Sequence, residues 1–324
     1  MQLTDVLMAR HRIAPYVRRT PFVQSTWLSD VAQADVFLKI ESLQVSHSFK
    51  SRGAFNAVIA RKERGAAAHQ QLVTASAGNH GRALAAAAET FRLPLIVFTP
   101  ADAPHTKLAA IRRHGADLRA EGVDYDDAER RAKNYAAETG AAFISPYNDP
   151  DVIAGAGSIA VEIFEEMPTV DTLIVPIGGG GLISGIATAA RAIAPACTVI
   201  GVEAEASCAF QTSVRAGQLV EIVPGATLAD GLGGNPDPET ITFACIQRLV
   251  DRIVTVSEPD LAAAIVGLVE AEHLVAEGAG AATTAALVGH RVDVSGKRVA
   301  VVVSGGNIDR ARLATLLNEH TGSF

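Results

Sequence analysis

The chain has 324 residues, of which 48% are hydrophobic, and a formal net charge of −7. Its length and composition are enough for a large core, in two domains or in one large α/β unit. The acidic balance and the lack of a basic block argue against nucleic acid as a partner. The first residues, MQLTDVLMARHR, lack the apolar core of a signal peptide, and no apolar run is long enough to cross a bilayer. We therefore expect a cytoplasmic protein with no membrane partner.

The cysteines give no sign of a disulfide framework. Cys197, Cys208 and Cys245 lie far apart and have no CxxC spacing. An odd number of scattered thiols is typical of free cysteines in a reducing compartment, and it argues against a zinc site.

Short β-rich runs alternate with longer, alanine-rich helical stretches along the chain. The predicted strands are 35–41, 71–75, 95–99, 141–145, 172–177, 198–203, 251–256 and 298–304. Most of them are continuous apolar runs, which is the pattern of strands covered on both faces. The predicted helices between them include 81–91, 106–115, 126–140, 181–194 and 258–274. This alternation predicts an α/β fold with mainly parallel, twisted sheets and helices on both faces.

The stretch SHSFKSRGA, residues 46–54, places Lys50 at the start of a helical segment. A charged lysine is unfavourable there, because the helix macrodipole favours anions at the N-terminus. Taken alone, Lys50 is most simply interpreted as a solvated surface residue. A helix N-terminus combined with partial burial would instead favour the neutral, nucleophilic form of the amine.

Four consecutive glycines, Gly178, Gly179, Gly180 and Gly181, stand between a predicted strand and a predicted helix. Such a loop exposes backbone N–H groups at a helix N-terminus and can bind a phosphate. A tight turn, the simpler explanation, would need only two glycines. The dinucleotide pattern GxGxxG fails because Ile183 occupies its third glycine position. A small monophosphate is therefore the expected ligand.

Another glycine-rich stretch, GAGSIA at residues 155–160, matches GxGxxA but does not follow a predicted strand. We interpret it as helix packing and not as a dinucleotide site.

Polar loops follow two further predicted strands, SAGNHG at residues 76–81 and SGGN at residues 304–307. Asn79 or Ser76 would cap the helix that follows, bind a ligand, or do both. His80 is more simply a structural histidine than a catalytic one, and Ser304 alone is compatible with an ordinary turn.

Five motifs together resemble a known family. SFKSRGA, TASAGNHG, PIGGGGLISG, EGAGA (277–281) and VSGGN occur in the order typical of fold type II pyridoxal-phosphate enzymes. The similarity is to the serine/threonine dehydratase (ammonia-lyase) and serine racemase group, and it runs from about Ile13 to about Leu317. It implies a large, discontinuous cofactor-binding domain of residues 1–49 plus 149–324. A small domain of residues 50–148 would carry SAGNHG, residues 76–81, which we call the asparagine loop. A homodimer is expected.

The resemblance also implies roles for particular residues. Lys50 would be the catalytic Schiff-base lysine, and Glu277 would lie near the cofactor ring. The implied residues for binding pyridoxal 5′-phosphate are Phe49, Lys50, Asn79, Gly178, Gly179, Gly180, Gly181 and Ser304. The implied residues for binding the substrate are Ser76, Ala77, Gly78, Asn79 and His80.

The reaction implied is dehydration of an L-β-hydroxy amino acid such as threonine or serine. It would proceed through the Lys50 Schiff base and an aminoacrylate-type product to a 2-oxo acid and ammonia. A serine at position 304, in place of an acid, would not hold the pyridine nitrogen protonated, which favours β-elimination over reactions that need a long-lived carbanion.

Three positions depart from the relatives. Serine racemases carry a second serine where this chain has Ala77, and alanine cannot transfer a proton, so racemisation is disfavoured. Glu203 matches the first ligand of metal-dependent relatives, but Ala209 replaces a second acid, so we expect no strong divalent site. His47 stands where relatives have a small residue. It is either a harmless change or a change in the pocket that favours another substrate, such as 3-hydroxyaspartate or phenylserine.

Three other functions are compatible with the sequence: a serine racemase, a β-replacement synthase and a non-catalytic protein that binds pyridoxal phosphate. The synthase is less favoured, because its relatives usually show TSGNTG in place of SAGNHG. The short stretch after SGGN predicts that the C-terminal regulatory domain of biosynthetic threonine dehydratases is absent.

Overall fold

The computed structural model describes residues 1–67 and 69–319, which form two sheets and the helices packed on them. The helices are α1 (Leu3–Ile13), α2 (Thr26–Ala32), α3 (Lys50–Glu63), α4 (Asn79–Phe91), α5 (His105–Arg112), α6 (Tyr125–Thr139), α7 (Pro150–Glu166), α8 (Gly181–Ile193), α9 (Ala209–Ala216), α10 (Thr242–Leu249), α11 (Glu258–Glu270), α12 (Gly278–Val288) and α13 (Arg310–Glu319). The strands are β1 (Phe22–Gln24), β2 (Asp35–Ile40), β3 (Leu72–Ala75), β4 (Leu95–Pro100), β5 (Asp117–Gly122), β6 (Ala142–Phe143), β7 (Thr172–Pro176), β8 (Thr198–Ala204), β9 (Arg252–Val256) and β10 (Arg298–Val303).

The larger sheet has six strands in the order β1-β2-β10-β7-β8-β9. β1 pairs with β2 in antiparallel register, and the other neighbours pair in parallel. Successive residues of β10 face opposite sides of the sheet. Val301 packs with α11 and α12 on one side, and Val302 packs with α7 and α8 on the other. The sheet is thus covered on both faces, as its apolar strands predict.

The smaller sheet has four parallel strands in the order β5-β4-β3-β6. Its two faces are likewise covered. Val97 and Leu72 pack with α3 and α4, whereas Val73 and Phe98 pack with α6. The carboxyl end of β3 opens into the loop that precedes α4, so the asparagine loop lies at the edge where parallel-sheet proteins bind ligands.

These observations confirm the predicted α/β fold class. All eight predicted strands are present, although β6 is shorter than expected. β1 and β5 escaped prediction. The strands of the smaller sheet fall within 72–143, but the division into domains 1–49 plus 149–324 and 50–148 stays a prediction. Among the described helices, none has both the length and the apolar character needed to span a bilayer.

Glycines set the distance between three helices. A Cβ on Gly155 of α7 would lie 2.4 Å from the carbonyl oxygen of Arg52 in α3. A Cβ on Gly157 of α7 would lie 2.8 Å from the carbonyl oxygen of Gly185 in α8. Because real Cβ contacts are longer, glycine is required at this crossing. The GAGSIA stretch is therefore part of helix packing.

A buried charge cluster joins α3 to α7 and β2. The Arg52 guanidinium donates to both oxygens of Glu41 at 2.8 Å and to the two oxygens of Glu162 at 2.6 and 2.9 Å. Lys39 Nζ lies 2.7 Å from Glu162. These four side chains are almost fully excluded from water, and two cations balance two carboxylates. This cluster, Lys39–Glu41–Arg52–Glu162, fixes the first turn of α3.

Candidate active site

Lys50 is the first residue of α3 and is partly buried. Its Nζ donates to the carbonyl oxygen of Pro146 at 2.9 Å and lies 4.9 Å from the centre of the Phe49 ring. Burial lowers the pKa of Lys50 to about 8, while the charge of Glu277 acts in the opposite direction. More of this amine is neutral near pH 7 than in an exposed lysine, and a neutral amine is nucleophilic.

Backbone contacts bring the SFK and SGGN motifs together. The amide of Phe49 donates to the carbonyl of Ser304 at 3.0 Å, and Ser48 forms an isolated antiparallel bridge with Gly305. The hydroxyl of Ser304 is buried and donates to the carbonyl of Ala279 at 3.3 Å. Lys50 and Ser304 therefore lie at neighbouring positions although they are far apart in the sequence.

The glycine loop 178–181 follows β7 and begins α8, as predicted. Gly180 has φ of +84°, a conformation that side chains disfavour, and no side chain caps the helix. A Cβ on Gly179 would lie 2.2 Å from Cγ of Tyr147, so the tyrosine ring rests on the loop. The uncapped amides at the start of α8 provide a site for an anion.

Asn79 is the first residue of α4, but its side chain does not cap the helix. The N-cap position belongs to Gly78, without a side-chain hydrogen bond. The Asn79 amide instead donates to Glu277 and accepts from Asn307 at 2.7 Å. The capping interpretation of Asn79 is wrong, because these two contacts occupy its side chain. Ser76 Oγ accepts the N–H of Gly78 within the same loop.

A chain of hydrogen bonds passes through Asn79. Arg82 Nη1 donates to Asn307 Oδ1 at 2.5 Å, Asn307 donates to Asn79, and Asn79 donates to Glu277. A guanidinium thus lies at one end of this chain and a carboxylate at the other, which polarises the two amides between them. We call this set, Arg82–Asn307–Asn79–Glu277, the asparagine relay.

Two titratable groups of the site have unusual pKa values. Burial raises the pKa of Glu277 to about 7, against the hydrogen bond from Asn79. Burial, followed by the charge of Lys50, lowers the pKa of His80 to about 3. His80 is buried and its Nε2 lies 3.3 Å from the carbonyl of Ile144. A histidine that stays neutral at pH 7 is unsuited to act as a general acid, so its structural interpretation is favoured.

The remaining residues of the asparagine loop, Ala77 and Gly78, are partly buried. Among the described residues, no atom outside its immediate neighbours would contact a Cβ on Gly78 within 4 Å, so open space adjoins the loop there. This space lies beside Asn79, the next residue in the chain.

His47 is exposed and has φ of +59°, in the left-handed region. Its carbonyl accepts the amide of Gly306 at 2.9 Å. A residue with a side chain is strained in this conformation, which glycine adopts readily. The backbone of His47 thus helps to hold the SGGN turn in place. An effect of its side chain on substrate choice stays a prediction.

Glu203 accepts hydrogen bonds from the start of α9 in this structure. Its two carboxylate oxygens accept the amides of Phe210 at 2.9 Å and Gln211 at 2.7 Å, in the first turn of the helix. Burial raises its pKa to about 7. Within residues 1–67 and 69–319, no group of three or more His, Cys, Asp or Glu side chains is arranged to hold a metal ion.

Sequence reasoning missed several residues of the site. Asn307 belongs to the SGGN motif, yet its contact with Asn79 gave no separate signal. Arg82 follows Asn79 by three residues, which is one helical turn, and that spacing was the available clue. The carbonyl of Pro146 and the ring of Tyr147 come from a loop whose position depends on the tertiary fold.

Residues 13–305 match the family described as "Pyridoxal-phosphate dependent enzyme". L-threonine ammonia-lyase of Thermotoga maritima is 40% identical over 98% of this chain and 78% of its own length. L-threo-3-hydroxyaspartate ammonia-lyase of Saccharomyces cerevisiae is 40% identical over 97% of this chain and 95% of its own.

Solved structures agree with this assignment. Maize serine racemase superposes with a TM-score of 0.91 at 32% identity, covering 98% of this chain and 97% of the racemase. Threonine deaminase isoform 2 from Solanum lycopersicum gives 0.89 at 30% identity, covering 98% and 92%. The match covers nearly the whole chain and includes the elements that carry Lys50, the glycine loop and Asn79. The chain belongs to the family of pyridoxal-phosphate dependent enzymes, in its fold type II group.

Proposed function

We propose that this protein is an ammonia-lyase that dehydrates an L-β-hydroxy amino acid, such as threonine or serine, to a 2-oxo acid and ammonia. The observation that carries the proposal is the setting of Lys50, a partly buried amine with a pKa of about 8 beside the asparagine relay. Relatives with ammonia-lyase names, at 40% identity, support this choice of reaction.

The residues present fit pyridoxal phosphate. The uncapped start of α8 and the glycine loop suit its phosphate, and the amine of Lys50, with its lowered pKa, suits its aldehyde. The other proposed contacts are Phe49, Asn79 and Ser304, together with Gly178, Gly179, Gly180 and Gly181 in the loop. When bound, the cofactor supplies an electron sink that makes the substrate Cα–H bond acidic.

The protein's own groups carry out the proton transfers and positioning. Lys50 Nζ takes the Cα proton once it is free and neutral. The loop 76–80 holds the α-carboxylate near the N-terminus of α4, where the helix dipole favours an anion. Asn79 is held in one orientation by Glu277 and Asn307. Its side-chain position is thus set before the substrate arrives, which lowers the cost of organising the site.

The overall reaction balances without an external oxidant. The Cα–H and Cβ–OH bonds break, a Cα–Cβ double bond forms, and the hydroxyl leaves as water. Tautomerisation returns a proton to Cβ, and addition of water at Cα releases ammonia and leaves the 2-oxo acid. Ala77 supplies no second proton-transfer group on the opposite face, which disfavours racemisation.

A second candidate is the dehydration of a less common β-hydroxy amino acid. 3-Hydroxyaspartate is favoured over phenylserine here because one relative at 40% identity carries that substrate in its name. Serine racemase, β-replacement synthase and a non-catalytic pyridoxal-phosphate protein rank lower. A non-catalytic protein would have no need of a partly buried lysine with a lowered pKa.

We further propose that the chain forms a homodimer and works in the cytoplasm, with the active site in the cleft between domains 50–148 and 1–49 plus 149–324. The three free cysteines support a reducing compartment.

The test is a panel of β-hydroxy amino acids scored for 2-oxo acid and ammonia in wild type and in Lys50→Ala, with and without a chelator. We expect turnover in wild type, a loss of at least about 10³-fold in Lys50→Ala, and no effect of chelator. Unchanged turnover in Lys50→Ala would contradict the proposal. A strong loss with chelator would show that a metal is needed after all.

A further inference from the structure

We propose, on the basis of the ammonia-lyase function above, that Arg82 binds a second carboxylate on the substrate Cβ, so that 3-hydroxyaspartate is preferred over threonine and serine. Arg82 would then be the residue that determines substrate specificity. Three features support this role: the position of Arg82 on α4, the absence of a carboxylate paired with it among the described residues, and the geometry of a substrate held at the start of α4.

Arg82 lies one turn beyond Asn79 on the same helix. Three residues advance an α-helix by about 4.5 Å, and residues i and i+3 share one face. The guanidinium donates to Asn307, which donates to Asn79. It therefore belongs to the hydrogen-bonded network that borders the asparagine loop.

Among the described residues, Arg82 has no carboxylate within ion-pair distance; its contact is the neutral amide of Asn307. Two other cations near the relay already have a partner or a role. Lys107 pairs with Asp230 at 2.6 Å, and Lys50 is the reactive amine. Burial and the nearby charge of Arg113 lower the pKa of Arg82. A partly desolvated guanidinium without a counter-ion is unfavourable, and a carboxylate ligand would relieve this.

A substrate bound through its α-carboxylate at loop 76–80 places Cβ two bonds from that carboxylate. A substituent on Cβ then lies within a few ångströms of the first turn of α4, inside the reach of an arginine side chain. The methyl of threonine leaves Arg82 with only the neutral amide of Asn307, whereas a β-carboxylate forms a charge-assisted hydrogen bond. Because a site with a buried polar group rejects ligands that leave it unpaired, such a contact discriminates strongly.

The experiment measures kcat/KM of the holoenzyme for L-threonine and for the threo and erythro forms of L-3-hydroxyaspartate. It uses wild type, Arg82→Gln, Arg82→Lys and the control Arg112→Gln. Glutamine retains a donor for Asn307 but removes the charge, and lysine retains the charge without the planar fork. Arg112 is an exposed arginine on the neighbouring α5, and its replacement removes the same charge from the surface.

We expect wild type to prefer a form of hydroxyaspartate over threonine. In Arg82→Gln the ratio of the two kcat/KM values should fall by about 10- to 100-fold. Arg82→Lys should lie between, and Arg112→Gln should stay within twofold of wild type.

An equal loss on both substrates in Arg82→Gln would mean that Arg82 only positions Asn79, and would overturn the proposal. So would a wild-type enzyme that prefers threonine. These failures differ from failure of the ammonia-lyase function itself, in which wild type would release 2-oxo acid from none of the three compounds.

Discussion

The amine of Lys50 donates to the backbone carbonyl of Pro146 at 2.9 Å, and no carboxylate among the described residues forms an ion pair with it. A carbonyl acceptor stabilises a lysine without holding its proton as firmly as a carboxylate would. Burial lowers the pKa of this amine to about 8, and the charge of Glu277 opposes that shift. The pH dependence of the site follows from this value.

Attachment of pyridoxal phosphate to the apoenzyme should accelerate as pH rises through about 8, because the neutral fraction of Lys50 increases there. Glu277 raises the pKa of Lys50, so Glu277→Gln should move this midpoint to lower pH, by about one unit. The exposed Glu138 gives the control Glu138→Gln, which should leave the midpoint unchanged. The measurement is the rate of the visible absorbance change after mixing. A midpoint near 10.5 in wild type would show that Lys50 is an ordinary surface lysine.

Gly179→Ala should weaken retention of pyridoxal phosphate by at least about tenfold. The new Cβ would overlap the Tyr147 ring, whose Cγ and Cδ1 lie 2.2 and 2.3 Å away, so the loop or the ring must move. Gly233→Ala is the matched control, because its nearest contact would be an ordinary 3.5 Å. Titration of the apoenzyme with cofactor measures the effect. Equal affinity for the cofactor in both variants would show that the glycine loop does not bind the phosphate. Recovery of affinity in Gly179→Ala/Tyr147→Ala would identify the clash with Tyr147 as the cause of the loss.

Arg52→Met should lower the free energy of unfolding by about 3 kcal/mol or more, because two buried carboxylates would lose their shared cation. Arg64→Met breaks an exposed pair with Asp151 and should cost less than about 1 kcal/mol. Urea unfolding of both variants gives the comparison. If the two cost the same, the charge cluster contributes no more to stability than an ion pair on the surface.

His47→Val should destabilise the protein by about 1–2 kcal/mol, since a β-branched residue is poorly tolerated at φ of +59°. His47→Gly should be at least as stable as wild type. Urea unfolding tests both variants, because a shift of the midpoint with an unchanged m-value reports a change in stability. A valine variant as stable as wild type would show that the backbone of this turn relaxes without cost.

Strands with a clear local sequence pattern were predicted correctly. Strands β7, β8 and β10 are apolar runs with clear ends, and their pattern predicted burial on both faces. β5, with the sequence DLRAEG, has three charged side chains and one partly exposed face, so its composition resembled a loop. β1 is three residues long and is stabilised by its pairing with β2, which no local pattern reveals.

The site was predictable in its parts and not in its connections. Lys50, Asn79 and the glycine loop stand in motifs that could be identified one by one. The asparagine relay joins residues separated by 198 and 228 positions, so it depends on the tertiary fold. Arg52 illustrates the same limit, because an arginine in a polar-looking motif gave no sign that it is fully buried.

The contacts of Gly155 and Gly157 have a consequence for how the enzyme can vary. Helix α7 separates α3, which begins with Lys50, from α8, which begins at the phosphate loop, and main chain touches main chain on both of its sides. The distance between Lys50 and the glycine loop is thus set by contacts between main chains and does not depend on the size of side chains. Sequence divergence can alter the pocket walls and with them substrate choice, while the distance that the cofactor must bridge stays constant.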